Sequence, residues 1–336
     1  MAKQVRALLL LTGTVLFWGS SFAVTKDTYA ELSPMAVMSL RMLIASLAFL
    51  PFWWRLPRPQ YRRGDAKLLA LSMAFIPCAY FLLESLAMLY TTSSQAGVIS
   101  ATVPLIVALG AWLLFRERLT WQQGVGVAVS ITMVVVLAMT GTSQASGPMP
   151  WLGNLLELGA MVAAAGSMLT IKQLSSRYHP WFLTGLQAAS GAVFFTVMAA
   201  ATGGWPNLGG LSVPVMLELA YLGVFPGLLA FGLYNSALKM MPATSAALAI
   251  NLIPVVAVLT GWLLLGESLT VVQLLACALI IAAVAFAEVS SATGDKTTLG
   301  ESDTPVTAVP DTAPAATMAA VDPASARVDE PRGVQR

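Results

Sequence analysis

The chain has 336 residues, of which 57% are hydrophobic and 10% are charged, and its formal net charge is +2. Soluble domains carry roughly 25% charged residues, so this chain has too few polar side chains to cover a water-soluble fold. The small net charge does not indicate a nucleic-acid partner, and we expect none. The cysteines Cys78 and Cys277 lie within apolar segments, where we expect them to be buried rather than joined in a disulfide.

Ten apolar segments follow one another from about Leu8 to Ala287. Each is near the length of about 20 helical residues that crosses the hydrocarbon core of a bilayer. The sequence therefore predicts an all-α integral membrane protein with ten transmembrane helices. Ser33 followed by Pro34 indicates a capped start of the second helix. The predicted spans are Leu8–Val24, Pro34–Trp54, Leu68–Leu89, Ser93–Phe115, Trp121–Met139, Trp151–Ile171, Trp181–Ala200, Val213–Ala237, Ala243–Leu265 and Val271–Ala287.

The two halves of this series are related in sequence. Residues 104–123 and 254–273 align without a gap at a shift of 150 residues and share nine identities, among them the pair Glu117 and Glu267. A second match, at a shift of 146 residues, places Ser21 on Ser167 and Lys26 on Lys172. The chain therefore contains an internal repeat.

A repeat of five helices has an odd number of crossings, so the second copy must enter the membrane in the opposite orientation. Two inverted repeats around a site near the bilayer midplane are typical of secondary transporters. We predict a first repeat in residues 1–140, a second, inverted repeat in residues 141–289, and a separate segment in residues 290–336.

The basic residues predict the orientation. One set of loops holds twelve of them, whereas the other set holds only Lys26. Loops rich in Lys and Arg face the cytoplasm, so we expect a multi-pass protein of the cell inner membrane with both termini in the cytoplasm. Residues 290–336 are rich in Ala, Pro, Thr and Asp, which predicts a disordered cytoplasmic tail.

Several classes of chemistry are absent from the sequence. There is no phosphate-binding loop of the ATPase type, and no His, Cys, Asp or Glu cluster has the spacing of metal ligands. The chain has one histidine, His179, and no set of residues suited to nucleophilic catalysis. We therefore expect neither an enzyme, nor a cofactor, nor a metal site.

Ionisable residues within the predicted spans are Arg41, Glu84, Glu157 and Glu218. At about 1.5 Å per residue, all four lie at a similar depth, between the outer surface and the midplane. Such groups face protein or water rather than lipid. One interpretation is a structural pair of Arg41 with Glu84, with the other glutamates hydrated near the outer interface. The other is a polar layer that contacts substrate or carries a proton, with Glu84 and Glu157 as the proton-coupling candidates.

Aromatic and polar residues within the spans complete the predicted cavity. Trp18 lies deep in the first helix beside small residues that leave room for a ligand. Core packing is the alternative for each aromatic residue, and Asn251 could instead form a hydrogen bond across helices. The predicted substrate-cavity residues are Trp18, Ser21, Arg41, Tyr80, Glu84, Glu157, Tyr234 and Asn251.

Two prolines and a row of small residues suggest where helices bend and cross. Pro104 and Pro254 lie within apolar spans, where a proline removes a backbone hydrogen bond and permits bending. We interpret both as candidate hinges, with ordinary packing as the alternative. Gly97 belongs to a series of small residues on the fourth helix that lets a neighbouring helix approach closely.

In this order, the motifs resemble those of EamA-type members of the drug/metabolite transporter superfamily. The resemblance rests on Trp18-Gly19-Ser20-Ser21-Phe22 with Lys26, on Ser33-Pro34 with Arg41, and on the two Glu-x-Leu-Thr blocks at Glu117 and Glu267. It covers essentially residues 6–288. It implies a ten-helix inner-membrane carrier whose central cavity is lined by both halves. Such carriers commonly export amino acids or other small metabolites.

The leading functional prediction is secondary transport, with export of a small metabolite such as an amino acid by alternating access. A proton is the expected coupling ion, and the carrier would be a monomer or a homodimer in the lipid bilayer. One alternative is an uncoupled facilitator of small solutes. Another, from a different class, is a membrane scaffold or sensor that transports nothing.

Overall fold

Segments this apolar must satisfy their own backbone hydrogen bonds in a bilayer, and a helix does so within one segment. The computed structural model describes residues 2–57, 59–115, 121–140, 148–205, 208–240, 252–272, 274–283 and 286. Within these ranges, every regular element is helical. The α-helices are α1 (Ala2–Thr28), α2 (Pro34–Trp53), α3 (Asp65–Met73), α4 (Tyr80–Tyr90), α5 (Ser93–Ile99), α6 (Val103–Phe115), α7 (Trp121–Thr140), α8 (Pro150–Leu174), α9 (Pro180–Ala201), α10 (Val213–Val224), α11 (Ala230–Met240) and α12 (Ile253–Leu265).

In the part of the chain that the structure describes, seven helical stretches are long and apolar enough to cross a membrane: Val5–Thr28, Pro34–Trp53, Asp65–Tyr90, Ser93–Gly110, Pro150–Leu174, Pro180–Ala201 and Val213–Met240. The chain is therefore a multi-pass membrane protein. Three shorter apolar helices coincide in sequence with the fifth, ninth and tenth predicted spans: Gly124–Met133, Ile253–Leu265 and Leu274–Ala283. The arrangement of ten crossings in two inverted repeats stays a prediction, and the predicted tail lies outside the described residues.

The second helix begins as predicted. The Ser33 hydroxyl oxygen accepts a hydrogen bond from the backbone N–H of Ala36 at 3.3 Å, and Pro34 is the first helical residue. The side chain satisfies one of the free amides at the helix start, and proline has no amide there to leave unsatisfied. The first helix is longer than predicted and continues past Val24 to Thr28.

Three short segments interrupt the spanning helices. Ala74–Ala79 joins α3 to α4 and Phe225–Leu229 joins α10 to α11, both with π-helical hydrogen bonding. Pro77 and Pro226 lie in these segments, and proline cannot donate the hydrogen bond of a regular α-helix. The third segment, Ser100–Thr102, is a 3₁₀ turn between α5 and α6. Tyr80 and Glu84 follow the first interruption on α4, Tyr234 and Asn235 follow the second on α11, and Ser100 lies in the third.

The helices pack closely where side chains are small. α1 packs against α5, α11 and α12, α2 packs along α9 and α10, and α4 packs along α8. Gly97 on α5 lies so close to Ala257 on α12 that a side-chain carbon at Gly97 would overlap the Ala257 methyl group. The close approach that the sequence predicted for Gly97 is thus present in the structure, where α5 crosses α12.

The outward-facing surface is apolar. Leu47 on α2 and Val193 and Val197 on α9 are exposed, together with many other large hydrophobic side chains. A soluble monomer rarely exposes continuous apolar surface of this kind, whereas lipid-facing helices require it. The polar side chains of the same helices point inward, which places the candidate site between the helices.

Candidate functional site

A cavity of about 70 Å³ lies among helices from both halves of the sequence. The first half contributes α1, α2, α4, α6 and both interruptions near them, and the second half contributes α8, α9, α11 and α12. Aliphatic and aromatic side chains form most of the wall. The polar lining residues are Ser21, Arg41, Tyr80, Glu84, Ser100, Ser167, Gln187, Tyr234 and Asn235.

The structure brings six of the eight predicted cavity residues together on this wall: Trp18, Ser21, Arg41, Tyr80, Glu84 and Tyr234. Two others are not among the lining residues. Glu157 is buried among the helices, and Asn251 lies outside the described residues. Contact with a substrate stays a prediction for all eight.

Arg41 projects from α2 and is only 2% exposed. Its guanidinium carbon lies 4.6 Å from the centre of the Phe81 ring, which is the geometry of a cation–π contact. Its Nε and Nη1 atoms have no hydrogen-bond partner in the described part of the chain. Arg41 and Glu84 form no direct ion pair within the described residues, but they are close enough for their charges to interact, so the interpretation of a structural pair stays open.

Glu84 is one helical turn after Tyr80 on α4, a spacing that places both side chains on one face. The Tyr80 hydroxyl donates a hydrogen bond to Glu84 Oε1 at 2.7 Å. This bond holds one carboxylate oxygen of Glu84 in place at the cavity wall.

Glu157 projects from α8, which packs along α4, and it is 0% exposed. Neither of its carboxylate oxygens has a hydrogen-bond partner among the described residues. Glu157 is close enough to Glu84 for the two charges to interact. The idea that Glu157 is hydrated near the outer interface therefore does not fit its burial.

Within the described ranges, no three His, Cys, Asp or Glu side chains come together in a way that could hold a metal ion.

Trp18 forms an aromatic wall with residues of α11. Its ring centre lies 4.9 Å from that of Phe231, edge to face, and 5.2 Å from that of Tyr234. The indole Nε1 donates to the backbone oxygen of Pro226 at 3.3 Å, within the π-helical interruption. The ring is thus packed on one side and lines the cavity on another, so packing and ligand contact are compatible for this residue.

Sequence reasoning missed two amide side chains of the site. Gln187 on α9 and Asn235 on α11 both line the cavity and are buried. Asn235 Nδ2 donates to Thr184 Oγ1 at 2.9 Å and to Gln187 Oε1 at 3.4 Å, whereas Gln187 Nε2 has no partner in the described part of the protein. An amide within an apolar span was the available signal, and it was applied only to Asn251.

The candidate hinges lie at the starts of α-helical segments. Pro104 is the second residue of α6, directly after the 3₁₀ turn Ser100–Thr102, and Pro254 is the second residue of α12. A proline in the first helical turn leaves no backbone bond unmade. The bend that Pro104 was expected to permit therefore corresponds to a change of helix type just before it.

A second polar cluster, which we call the Glu267 network, surrounds the start of α5. Glu267 Oε2 accepts hydrogen bonds from the backbone N–H and the hydroxyl of Ser94 at 2.9 and 2.7 Å, and both of its oxygens accept from Ser93 at 2.9 Å. Beside it, the Thr91 hydroxyl donates to Asn154 Oδ1 at 2.7 Å. The Glu267 network comprises Thr91, Ser93, Ser94, Gln95, Asn154 and Glu267. The geometry around Glu267 is that of a helix cap, which gives the second Glu-x-Leu-Thr block a structural role.

Known proteins similar to this chain are transporters. The sequence profile of the EamA-like transporter family matches residues 5–139 and 151–288. An uncharacterized transporter of Archaeoglobus fulgidus is 29% identical over 274 residues, which cover 78% of this chain and 91% of that protein. A probable terminal-alkyne amino-acid exporter of Streptantibioticus cattleyicolor is 28% identical, with 80% and 87% coverage.

A similar identity is found for a protein with a different cargo. The S-adenosylmethionine/S-adenosylhomocysteine transporter of Chlamydia trachomatis is 25% identical over 78% of this chain and 83% of that protein. A protein of known crystal structure superposes with a TM-score of 0.59 at 20% identity, over 84% of this chain and 97% of that one. At that identity, the superposition shows a shared fold.

Proposed function

The chain belongs to the EamA-like transporter family, and we propose that it is a secondary transporter that exports a small metabolite such as an amino acid. The observation that carries the proposal is the cavity itself: it lies between helices of both halves and contains Arg41 and Glu84 in a largely apolar wall. Burying ionisable side chains within a membrane protein costs free energy, and residues that are kept there usually have a function. The functions of two relatives, a probable amino-acid exporter and an S-adenosylmethionine/S-adenosylhomocysteine transporter, support a small-molecule cargo.

The proposed architecture is ten transmembrane helices in two inverted repeats, residues 1–140 and 141–289. Two separate matches to the family profile, of similar length, support it. A pair of lysines related by the repeat supports it too. Lys26 Nζ donates to the backbone oxygen of Thr91, and Lys172 Nζ donates to that of Leu238, so each lysine binds a carbonyl near the end of a helix.

Alternating access is the proposed mechanism, and Glu84 and Glu157 are its proposed proton-coupling residues. Their burial and mutual proximity support this role, because two adjacent carboxylates in an apolar interior disfavour being charged together. Bending would occur near Pro104 and Pro254.

The proposed location is the inner membrane with both termini in the cytoplasm, and the proposed assembly is a monomer or a homodimer.

An efflux measurement tests the proposal. Cells that overproduce the protein and cells that lack it are loaded with radiolabelled amino acids and other small metabolites, and efflux is followed with and without a proton gradient. We expect faster efflux of at least one compound from the overproducing cells. The same efflux rate with and without the proton gradient would instead indicate an uncoupled facilitator. Equal efflux of every compound would favour a scaffold or sensor. An enzymatic role has no support from the family or its named relatives.

A further inference from the structure

The cavity contains hydrogen-bond donors that the described protein does not satisfy. These are Nε and Nη1 of Arg41 and Nε2 of Gln187, and the Gln187 side chain is 4% exposed. The unpartnered hydroxyls of Ser167 and Tyr234 also line the cavity, and a hydroxyl can donate or accept. Buried polar groups are normally hydrogen-bonded. Free donors from α2 and α9 therefore indicate a ligand that brings acceptors.

Arg41 defines the charge of the missing group. A guanidinium cannot lose its proton in a protein, and it presents its N–H groups as a rigid planar fork that matches a carboxylate. The Phe81 ring lies 4.6 Å from its central carbon, so the aromatic contact leaves the N–H edge free. The nearest cavity carboxylate, Glu84, accepts from Tyr80 instead and makes no ion pair with Arg41. Glu84 is close enough for its charge to interact with Arg41, but it occupies neither Nε nor Nη1, so these two donors are available to a carboxylate of the ligand.

The rest of the wall defines the body of the ligand. Apolar side chains from four helices and one interruption surround the polar groups: Phe22, Ile76, Phe81, Met161, Ile171 and Phe231. A wholly polar anion would leave this surface in contact with water or polar atoms. An anion with an apolar body would bury it instead, which is the usual composition of a small-molecule site.

We propose that Arg41, with Gln187, is the carboxylate subsite of this carrier, and that its substrates are amphipathic carboxylates such as apolar amino acids. The inference rests on the proposed transport function and adds the chemical class of the cargo. In the bound state, the carboxylate accepts from Arg41 Nε and Nη1, and the apolar body lies among the rings of Phe81 and Phe231. Loss of the carboxylate removes charge-assisted hydrogen bonds, which corresponds to about 10- to 100-fold in affinity.

The test compares amino acids with their amides, in which an uncharged carboxamide replaces the carboxylate and the amino group is kept. The purified full-length protein in lipid nanodiscs is titrated with leucine, methionine and phenylalanine, and separately with leucinamide, methioninamide and phenylalaninamide, while its thermal unfolding is followed. We expect at least one acid to raise the unfolding temperature and its amide to bind at least about tenfold more weakly. Equal binding of acid and amide overturns the proposal, as does binding of the amides alone.

Variants at Arg41 locate the effect. Arg41→Gln should weaken binding of the acid by about 10- to 100-fold and leave binding of the amide unchanged. Arg41→Lys, which keeps the charge but loses the planar fork, should lie between. Arg55→Gln is the matched control, because Arg55 is exposed beyond the end of α2. Unchanged binding of the acid by Arg41→Gln overturns the assignment. If that variant does not fold, Arg41→Lys and the comparison of acid with amide on the wild-type protein still decide it.

The outcome is separable from that of the efflux measurement. A protein that exports other metabolites but neither binds nor exports these acids would keep the proposed function and lose the carboxylate subsite. A protein that exports nothing would lose the proposed function. Acid binding that depends on Arg41, without efflux, would support a carboxylate sensor rather than a carrier.

Discussion

The Glu267 network and the cavity both bury polar side chains, but they differ in whether those groups are satisfied. In the network, Glu267 accepts four hydrogen bonds from Ser93 and Ser94, and the Asn154 side chain accepts from Thr91 and donates to Gln95. In the cavity, Arg41 and other lining residues keep donor atoms without a partner among the described residues. Buried polar groups therefore have different roles in the two regions. Where they hydrogen-bond to each other, they hold helices together, and where donors are left without a partner, these donors are available to a ligand.

Glu267 shows why the first region is structural. The start of a helix carries free backbone amides and a partial positive charge, which a carboxylate complements. Here the carboxylate comes from the turn after α12 and caps α5, so it connects segments far apart in sequence. Arg41, by contrast, contacts an aromatic ring and makes no direct ion pair within the described residues. Mutations in the two regions should consequently change different measured quantities.

The largest effect on folding should come from Glu267→Ala. The variant leaves the amides at the start of α5 and the Ser93 and Ser94 hydroxyls without their acceptor, at a cost of about 2–4 kcal/mol in the free energy of unfolding. We expect a lower unfolding temperature and less folded protein by size-exclusion chromatography. Glu267→Gln, which keeps one acceptor oxygen, is the graded control and should lie between. Wild-type stability of Glu267→Ala would mean that the network is not structural.

Glu84→Gln should have the opposite profile. Glutamine can still accept the Tyr80 hydrogen bond, so stability should change by less than about 1 kcal/mol, while the removal of ionisation should abolish the dependence of transport on pH. Efflux measured at several pH values, at matched protein levels, checks this. A fall in protein yield that Arg41→Gln restores in the double variant would instead reveal a structural pair, despite the absence of a direct contact.

Trp18→Ala should affect binding more than folding. The variant removes a ring from the cavity wall, and we expect substrate affinity to fall by about tenfold, with a smaller loss of stability. Trp18→Phe separates the two contacts of the residue, because it keeps a ring near Phe231 but cannot donate to the Pro226 oxygen. Near wild-type affinity in Trp18→Phe would assign the effect to the ring. A loss of folded protein without a loss of affinity would assign Trp18 to the core.

The smallest effect is expected from removal of residues 291–336. This segment has almost no large hydrophobic side chains and lies beyond the last predicted span, so its deletion should leave membrane insertion and efflux unchanged. Membrane fractionation and the efflux assay on the truncated protein check this. Loss of efflux at a normal membrane level would show that the tail has a partner or a regulatory role.

Much of the fold could be predicted because hydrophobicity alone determines which segments are helical in a membrane. The second helix was predicted as Pro34–Trp54 and is Pro34–Trp53. The first helix was predicted to end at Val24 because the apolar run ends there, but it continues to Thr28. The side chain of Lys26 contacts the Thr91 carbonyl, a stabilising contact that hydropathy cannot reveal.

The candidate site was predictable in composition but not in detail. An ionisable residue within a predicted span is a candidate functional residue, and it can be recognised without knowing the orientation of its side chain. Arg41, Glu84 and Glu157 could therefore all be found from the sequence. Their surroundings could not, because the direction of a side chain depends on the rotation of its helix against its neighbours. Glu157 does not line the cavity, and Gln187, which does, was overlooked. The π-helical interruptions were also missed, although each contains a proline.

By itself, the sequence determined the membrane class, the position of the seven long apolar helices that the described residues contain, the internal similarity of its halves and the residue types at the site, since all of these follow from local composition and spacing. Only the tertiary structure decided which polar groups satisfy each other. Glu267 meets Ser93 across 174 positions of sequence, whereas Arg41 meets Phe81 and keeps Nε and Nη1 without a partner among the described residues. Hydrogen bonds depend on distance and direction in space, and neither is set by separation along the chain.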